Sequence, residues 1–486
     1  MYYHSSESFM SSIASDFITE PSQERRQQVA KQLGEFIDPD KVRIDEESLQ
    51  GHGCDWTKLY QVNPLAIVFP KTVEQVQQLV VFAREEKIAL VPSGGRTGLS
   101  GGAVASQGEI VVSFDYMNQM SDFNPVDRTV VCQPGVITQQ LQDFAEEQGL
   151  YYPVDFASAG SSQIAGNIAT NAGGIKVIKY GMTRDWVAGM KVVTGTGELI
   201  DLNKNLLKNN TGYDLRHLFA GSEGTLGLIV EATMRLTQPP KDLSVLVLGV
   251  PEMGAIMEIL RAFQNRMPLT AFEFFSESGC RLTTAHGLQR PFETETPFYV
   301  LIEYENQSEQ DADTAMEVFE FCMEQGWVVD GVISQSESQA ENLWALRENL
   351  GECCAPFTPY KNDISVTTSQ VPGFLEDIDT VVSQAYPDFT LVWWGHIGDG
   401  NLHLNILKPE GMEKDEFFGK CQAVNKQVFE IVEKYEGSIS AEHGVGLVKR
   451  DYIQYTRSKA DVALMQGIKK VFDPDNIMNP GKIFQS

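Results

Sequence analysis

Residues Val91–Ala103 read VPSGGRTGLSGGA. Five glycines, Gly94, Gly95, Gly98, Gly101 and Gly102, fall within nine residues. Glycine reaches positive φ freely and lets backbone N–H groups approach a ligand with no Cβ in the way. Successive N–H groups turned to one side form a nest for an anion such as a pyrophosphate. The run Ile88–Val91 predicts a strand entering the loop, with Pro92 at its mouth, and Glu109–Phe114 predicts a strand after it. A glycine cluster is most often a flexible surface loop. This one is held between apolar strands, and a second glycine- and asparagine-rich stretch follows at Gly160–Gly174. The two together predict the wrapping of one large phosphate-bearing cofactor.

The chain around these loops has 486 residues, enough for two or three domains. Hydrophobic content is 42% and charged content 21%, as in ordinary globular proteins. Lys+Arg number 38 against 66 Asp+Glu, a net charge of −28. Such a chain is a poor partner for nucleic acid or an anionic membrane through its bulk surface. An anionic substrate therefore needs a local cluster of Arg, Lys or metal. The seven cysteines form no C-x-x-C pair and their number is odd, which fits a reducing compartment. The first residues, MYYHSSESFMSSIASDF, lack a basic n-region and a long apolar run, so no secretory signal is expected. The longest apolar stretches, such as Leu243–Val250, are strand-length, short of the roughly 20 residues a span requires. The expected location is cytoplasmic, with peripheral attachment at the inner face of the membrane left open.

Residues 1–20 are Ser-rich and expected to be loosely ordered. Helices are predicted over Ser22–Ile37, over Thr72–Lys87, where Val73, Val76, Leu79, Val80 and Ala83 recur at helical spacing, and over Ile137–Gln148, closed by Gly149. Strands are predicted at Leu65–Phe69, Thr129–Gln133 and Gly221–Leu236, with a hairpin of Met190–Val193 and Glu198–Asp201. Pro239-Pro240 marks the main boundary. Beyond it, strands at Leu243–Val250, Thr270–Phe275, Phe298–Tyr304 and Val328–Ser334 alternate with helices at Glu252–Asn265, Glu309–Gln325 and Glu337–Cys354, an α+β or α/β arrangement. A helix over 371–386, a strand-rich Phe389–Leu407 and a long helix Asp415–Tyr435 follow.

Familiar nucleotide motifs are missing. Gly195-x-Gly197, Gly398-x-Gly400 and Gly444-x-Gly446 each lack the third glycine of a Rossmann fingerprint, and neither Gly419-Lys420 nor Gly481-Lys482 is followed by Ser or Thr as a P-loop requires. Four other motifs occur in order: PSGGRTGLSGGA, then Pro153–Gly174 (PVDFASAGSSQIAGNIATNAGG) with Tyr180-Gly181, then GSEGTLG at Gly221–Gly227, then Asn479-Pro-Gly-Lys482. Together they resemble the flavin domain of the vanillyl-alcohol oxidase/PCMH superfamily over about residues 60–484. The fold class this implies is α+β, a two-lobed PCMH-type FAD-binding domain followed by an α+β substrate-binding domain of the FAD-linked oxidase C-terminal type. The domains implied are an N-terminal helical segment over 1–55, the FAD-binding domain over 56–238, a substrate and metal domain over 239–430, and a C-terminal helical segment over 431–486 returning to the flavin.

Non-Rossmann binding of FAD is the implied cofactor chemistry. Its expected contacts are Pro92, Ser93, Gly94, Gly95, Arg96, Thr97, Gly98, Leu99, Ser100, Gly101 and Gly102 in the first loop, with Pro134 and Gly135. From the second stretch come Gly160, Ser161, Ile164, Gly166, Asn167, Thr170, Asn171, Gly173, Gly174 and Gly181. Glu223, Gly224, Gly227, Ile229, Asn479 and Lys482 complete the set. Some relatives attach the flavin to a His or Cys in these loops. The first loop here offers Arg96-Thr97 and neither of those residues, so non-covalent FAD is expected.

The chemistry is expected in the second half. Trp394–Ile406 reads WGHIGDGNLHLNI and Ser440–Gly446 reads SAEHGVG, and these two stretches hold three of the seven histidines, His396, His403 and His443. A lone histidine most often caps a turn or fills a polar gap. Three beside Asp399 and Glu442 point to a site. If the flanks of the Gly-Asp-Gly-Asn turn are paired strands, both imidazoles face one point, and two imidazoles with a carboxylate suit Zn²⁺ or a similar divalent ion. HIGDGNLH…AEHG resembles the FAD-dependent D-2-hydroxyacid dehydrogenases, whose substrates include D-2-hydroxyglutarate, D-lactate and glycolate. The resemblance implies His396, His403 and Glu442 as metal ligands, His443 as general base and Asn405 as a substrate contact.

Trp344–Val366 reads WALRENLGECCAPFTPYKNDISV. Read alone, Arg347 is a helix-surface residue paired with Glu348 or Glu352. The resemblance implies that Arg347 and Lys361 hold the substrate carboxylate farthest from the reacting carbon, an arginine fork with a lysine point charge. Gly351 and Asn362 depart from the pattern, which has a threonine and an aromatic there. The expected activity is oxidation of a D-2-hydroxy acid to the 2-oxo acid, with a D-2-hydroxyglutarate-like diacid favoured. A divalent metal orients the substrate and hydride passes to flavin N5. The acceptor is a quinone, a cytochrome or an electron-transfer flavoprotein, and a homodimer is left open. The competing readings are D-lactate or glycolate dehydrogenation, a metal-free flavin oxidase, and a non-catalytic flavin- or metal-storing subunit.

Overall fold

Short, wholly apolar runs set the first layer. In the computed structural model, which describes residues 21–485, Val42–Arg43 (β1), Ala66–Val68 (β2), Leu90–Ser93 (β3) and Ile110–Ser113 (β4) form a sheet in the order β1-β2-β4-β3. Strands β2, β4 and β3 run parallel, and their apolar side chains are covered on both faces, as parallel sheets require. The crossover helix Val73–Glu86 starts where the Thr72 side chain accepts the Gln75 N–H and stops at Lys87, in the left-handed conformation at φ 54°. It buries Val76, Leu79, Val80 and Ala83. This crossover delivers β3, and β3 delivers the glycine loop.

Met120–Asn124 (β5), Thr129–Cys132 (β6), Val187–Thr194 (β7), Leu199–Leu202 (β8) and Gly227–Arg235 (β9) form an antiparallel sheet in the order β5-β6-β9-β7-β8. The helix Ile164–Thr170 buries Ile164, Ala165 and Ile168 in its core. The third sheet holds Leu243–Val250 (β10), Leu269–Ser276 (β11), Phe298–Glu305 (β12), Asp330–Ile333 (β13), Tyr360–Ser365 (β14), Thr390–Gly395 (β15) and Asn401–Leu407 (β16). Its order is β13-β10-β12-β11-β15-β16-β14. Three sheets with helices interspersed make the chain α+β, as expected.

Two ties fix the halves together. The Leu90 N–H donates to Ile477 O at 2.7 Å and the Asn479 N–H donates to Leu90 O at 2.8 Å, so the end of the chain lies along β3. Lys176 and Lys179 form ion pairs with Glu303 and Glu305 on β12. No helix among the described residues is long and apolar enough to cross a membrane.

The structure departs from the expected elements in several places, among them the strand expected over Gly221–Leu236, which begins only at Gly227 after a turn. Glu337–Cys354 is two helices, Glu337–Glu348 and Leu350–Cys354, because the chain turns at Asn349. The N-terminal segment supplies β1 as well as helices, since Val42 and Arg43 pair with Val68 and Ile67. The boundary after 430 falls inside the helix Lys414–Lys434. The expectations for residues 1–20 lie outside the described residues.

Candidate active site

The loop after β3 walls a pocket. Its lining comprises Pro92, Gly94, Gly95, Arg96, Thr97, Gly98, Ser100, Gly102, Pro134, Gly166, Asn167, Thr170, Glu223, Gly224, Gly227 and Ile229 from the expected set. Asp55, Ala103, Phe114, Gln163, Ala165, Ala169, Ser222 and Leu228 join them. Ser93, Leu99, Gly101, Gly135, Gly160, Ser161, Ile164, Asn171, Gly173, Gly174, Gly181, Asn479 and Lys482 lie outside this pocket, and the reason is visible for several. The Ser93 hydroxyl donates to His52 O, Ile164 packs into the core, and Asn171 ends its helix in the left-handed conformation. Asn479 Nδ2 donates to Gly102 O at 2.9 Å and Glu223 O at 2.7 Å, and Lys482 Nζ donates to Val104 O at 2.9 Å. These two side chains hold the loop from behind. Gly95 also has a structural duty, because a Cβ there would come within 2.1 Å of Ser161 O. Asp55, which sequence reasoning missed, accepts the Gly101 N–H at 2.7 Å.

The second cluster sits on one face of the third sheet. His403 on β16 lies between Asp363 on β14 and Trp394 on β15, and Asn405 lies between Lys361 and Val392. His396 follows the end of β15. Its Nδ1 is 2.8 Å from Glu273 Oε1. A carboxylate only accepts, so Nδ1 carries the proton and Nε2 is left facing Glu442 Oε2 at 3.7 Å. His403 Nε2 faces Glu442 Oε1 at 3.5 Å. The expected trio of His396, His403 and Glu442 is thus gathered about one carboxylate. Asp363, His403, Glu442 and His443 each offer one ligand atom, all within 4.8 Å of one another.

This donor set fits a divalent cation. Its imidazole nitrogens and carboxylate oxygens approach one another without hydrogen bonds between them, and Glu273 acts on His396 as a carboxylate does on a ligating histidine. Burial resists charge on His396, yet Glu273 outweighs it and raises the pKa to about 9. Burial pushes Glu442 up to about 7.

The segment carrying His443 is strung between two buried carboxylates. Asp363 Oδ2 accepts the N–H of Glu442 at 3.1 Å and of His443 at 2.9 Å. Glu223 accepts the N–H of Val445 at 2.7 Å and of Gly446 at 2.8 Å. Ser100 O accepts those of Leu447 and Val448. The close approach explains the second glycine of SAEHGVG: Gly446 has φ 50°, and a Cβ there would lie 2.1 Å from Ser100 O. His443 Nδ1 is 3.5 Å from Asp363 Oδ2, and burial pushes its pKa down to about 4. Burial opposes charge on Asp363 as well, but His443, Lys449 and His403 hold it well below the usual carboxylate range.

Lys361 and His443 line one cleft, together with Tyr60 and Arg450. Arg347 lies deeper, 2% exposed, and pairs with neither Glu348 nor Glu352. Its Nη2 comes within 2.7 Å of Glu273 Oε2, and its guanidinium lies 4.4 Å from the Trp394 ring centroid. The N–H directions of Nε and Nη2 are not aligned on an acceptor. Asn405 is buried and its Nδ2 is likewise without an acceptor. Sequence reasoning missed Glu273, Asp363 and Trp394. A signal existed for Glu273, a lone charge in the fully buried run LTAFEFFS, where a carboxylate needs a partner.

Fold and site define an FAD-linked oxidoreductase. The FAD binding domain family matches residues 64–203, and the family of FAD linked oxidases, C-terminal domain, matches residues 239–483. The chain is 63% identical over 454 residues to D-2-hydroxyglutarate dehydrogenase of Stutzerimonas stutzeri (strain A1501), covering 93% of this chain and 98% of that one. It is 52% identical over 446 residues to D-2-hydroxyglutarate dehydrogenase of Xanthomonas citri pv. viticola (strain LMG 965 / NCPPB 2475 / ICMP 3867 / CFBP 7660), covering 92% and 94%. The fold is similar to that of p-cresol methylhydroxylase with substrate bound, with a TM-score of 0.74 at 16% identity, covering 96% of this chain and 98% of that one. The chain belongs to the FAD-linked D-2-hydroxyacid dehydrogenase family.

Proposed function

We propose that this dehydrogenase oxidises the α-carbon of a D-2-hydroxy diacid resembling D-2-hydroxyglutarate to the 2-oxo acid. One observation carries the reading: His443 and Lys361 share a cleft, while His396, His403 and Glu442 gather beside His443. The names of the two relatives support the same substrate class.

His443 takes the proton of the substrate hydroxyl. Its lowered pKa keeps the imidazole neutral and ready to accept. Asp363, behind Nδ1, holds the ring and favours the imidazolium that forms. Lys361 and Arg347 grip the distal carboxylate and Asn405 contacts the substrate, setting Cα at one place relative to the flavin pocket. The pocket behind the glycine loop would hold FAD, which would supply the hydride acceptor for Cα. His396, His403 and Glu442 would hold a divalent ion, with Zn²⁺ suited to the set; when bound, it polarises the hydroxyl and α-carboxylate. The residues lining the flavin pocket include no His or Cys, which supports non-covalent FAD. The electron acceptor is a quinone, a cytochrome or an electron-transfer flavoprotein.

A dye-reduction screen over D-2-hydroxyglutarate, D-malate, D-lactate and glycolate tests the reading. The diacids should give the highest kcat/KM. A preference for D-lactate or glycolate would remove the distal-carboxylate assignment, and reduction by none of the four would remove the reading.

A further inference from the structure

Four N–H-bearing atoms in the second cluster have no aligned acceptor. Arg347 Nε and Nη2, Trp394 Nε1 and Asn405 Nδ2 are buried without an aligned hydrogen-bond partner. They share one neighbourhood. The Arg347 guanidinium lies 4.4 Å from the centroid of the Trp394 indole. Trp394 is paired across the sheet with His403, whose ring is 4.7 Å from the indole. Asn405 follows His403 on the same face of β16, and Glu273 Oε2 already lies against Arg347.

Buried polar groups are normally partnered. A set that is nearly all donors is completed by a ligand that brings acceptors, and a carboxylate brings two oxygens with about four lone-pair sites. The Arg347 guanidinium also lies over the Trp394 ring, within cation–π distance.

The helix side gives a second reason. Gly351 carries no hydroxyl, although the family pattern has a threonine at this position. A Cβ at 351 would lie 3.8 Å from Trp394 Cη2, in ordinary contact. The indole therefore lies beside position 351. The donor absent from the helix is available from the strand.

We propose that Trp394 Nε1 is a substrate donor, acting beside Arg347 on the distal carboxylate of a D-2-hydroxy diacid. This rests on the reading of the site as one for such acids. Trp394 is then a specificity determinant. It recognises the end of the substrate that D-lactate lacks and leaves the reacting carbon to His443.

Trp394→Phe tests this, because it keeps an aromatic ring beside Arg347 and His403 while removing the N–H, and the comparison of glutarate with butyrate separates the lost donor from the lost ring volume. Three constants are measured on the FAD-loaded enzyme: KM for D-2-hydroxyglutarate, and the competitive inhibition constants of glutarate and butyrate. Loss of one buried hydrogen bond to a charged group should raise the first two by about ten- to a hundredfold. The butyrate constant should stay within about twofold. Glutarate and butyrate weakened equally, or an unchanged glutarate constant, would overturn the assignment of Trp394. The wild-type enzyme separates the two claims. If it turns over no D-2-hydroxy diacid, the proposed function fails. If it does and the variant matches it, only the role of Trp394 fails.

Discussion

Glu223 Oε2 accepts the backbone N–H of Gly446 at 2.8 Å, joining residues 223 positions apart in the chain. Glu223 lines the flavin pocket, and Gly446 lies three residues beyond His443. Through this carboxylate the wall of one site is tied to the segment that carries the base of the other. Burial raises the Glu223 pKa, and the amides of Val445 and Gly446 work against that rise by binding the charged form.

Glu223→Ala should therefore separate flavin binding from turnover. The loop of residues 94–102 keeps its other ties to Asp55 and Asn479, so FAD should still load. The 445–446 amides lose their acceptor, and His443 shifts. A misplacement of about 1 Å can cost about a hundredfold in rate. Single-turnover flavin reduction by D-2-hydroxyglutarate is the measurement. An unchanged rate with full FAD occupancy would mean that Asp363 and Ser100 O suffice to place the loop.

Gly166 gives a direct test of the pocket. It sits in the helix Ile164–Thr170 and lines the pocket, and a Cβ built there meets nothing within 4 Å. Gly166→Leu therefore adds a side chain that the protein itself tolerates. Removing a helical glycine is worth up to about 1 kcal/mol to the helix, so the apoprotein should melt no lower than wild type. FAD content should fall to near zero. A variant that purifies with full flavin would show that the cofactor runs elsewhere.

Much of this was legible in the sequence because it depends on local pattern. The apolar run Leu243–Val250 forms a strand of those bounds, and Thr72–Lys87 forms its helix to within a residue at each end. His396 and His403 come together because the Gly-Asp-Gly-Asn turn does join paired strands. The missing parts are long-range. Asp363 holds the His443 segment from 80 residues away, and Glu273 reaches His396 from 123 residues away. No periodicity encodes such pairings. Several glycines in the loops, such as Gly95, Gly135 and Gly174, are required by close backbone packing, which the sequence alone cannot tell from a ligand's need. Arg347 has an acidic partner as its helix position suggests, but that partner is Glu273 on β11 and neither of its helical neighbours.

Metal binding should depend on Glu273 and on pH. Glu273→Ala removes the acceptor that orients His396, and loss of such outer partners typically costs about 10- to 100-fold in metal affinity. Competition with a chelator measures it, with FAD content as the control that should not move. Protons compete for the same atoms. With the His396 pKa near 9 and the Glu442 pKa near 7 in the metal-free protein, binding displaces protons, so apparent affinity should rise from about pH 6 to about pH 9. Affinity independent of both pH and Glu273 would place the ion elsewhere.

His443→Ala should leave FAD and metal in place and slow flavin reduction by about 10²- to 10⁴-fold, the usual range for a lost general base. The pH profile sharpens the test. Burial lowers the His443 pKa to about 4, and a cation bound beside it would push in the same direction. In wild type the base should therefore be neutral at every pH above about 5, and the reductive step should show no acid limb near the ordinary histidine value of about 6.5. Because His443 lines an open cleft, added imidazole has a route to the vacated position and should restore part of the rate in the variant. A limb near 6.5 that disappears in His443→Ala would show that the ring is charged in the resting enzyme. Loss of metal or FAD in the variant would show that it serves as a ligand or a strut.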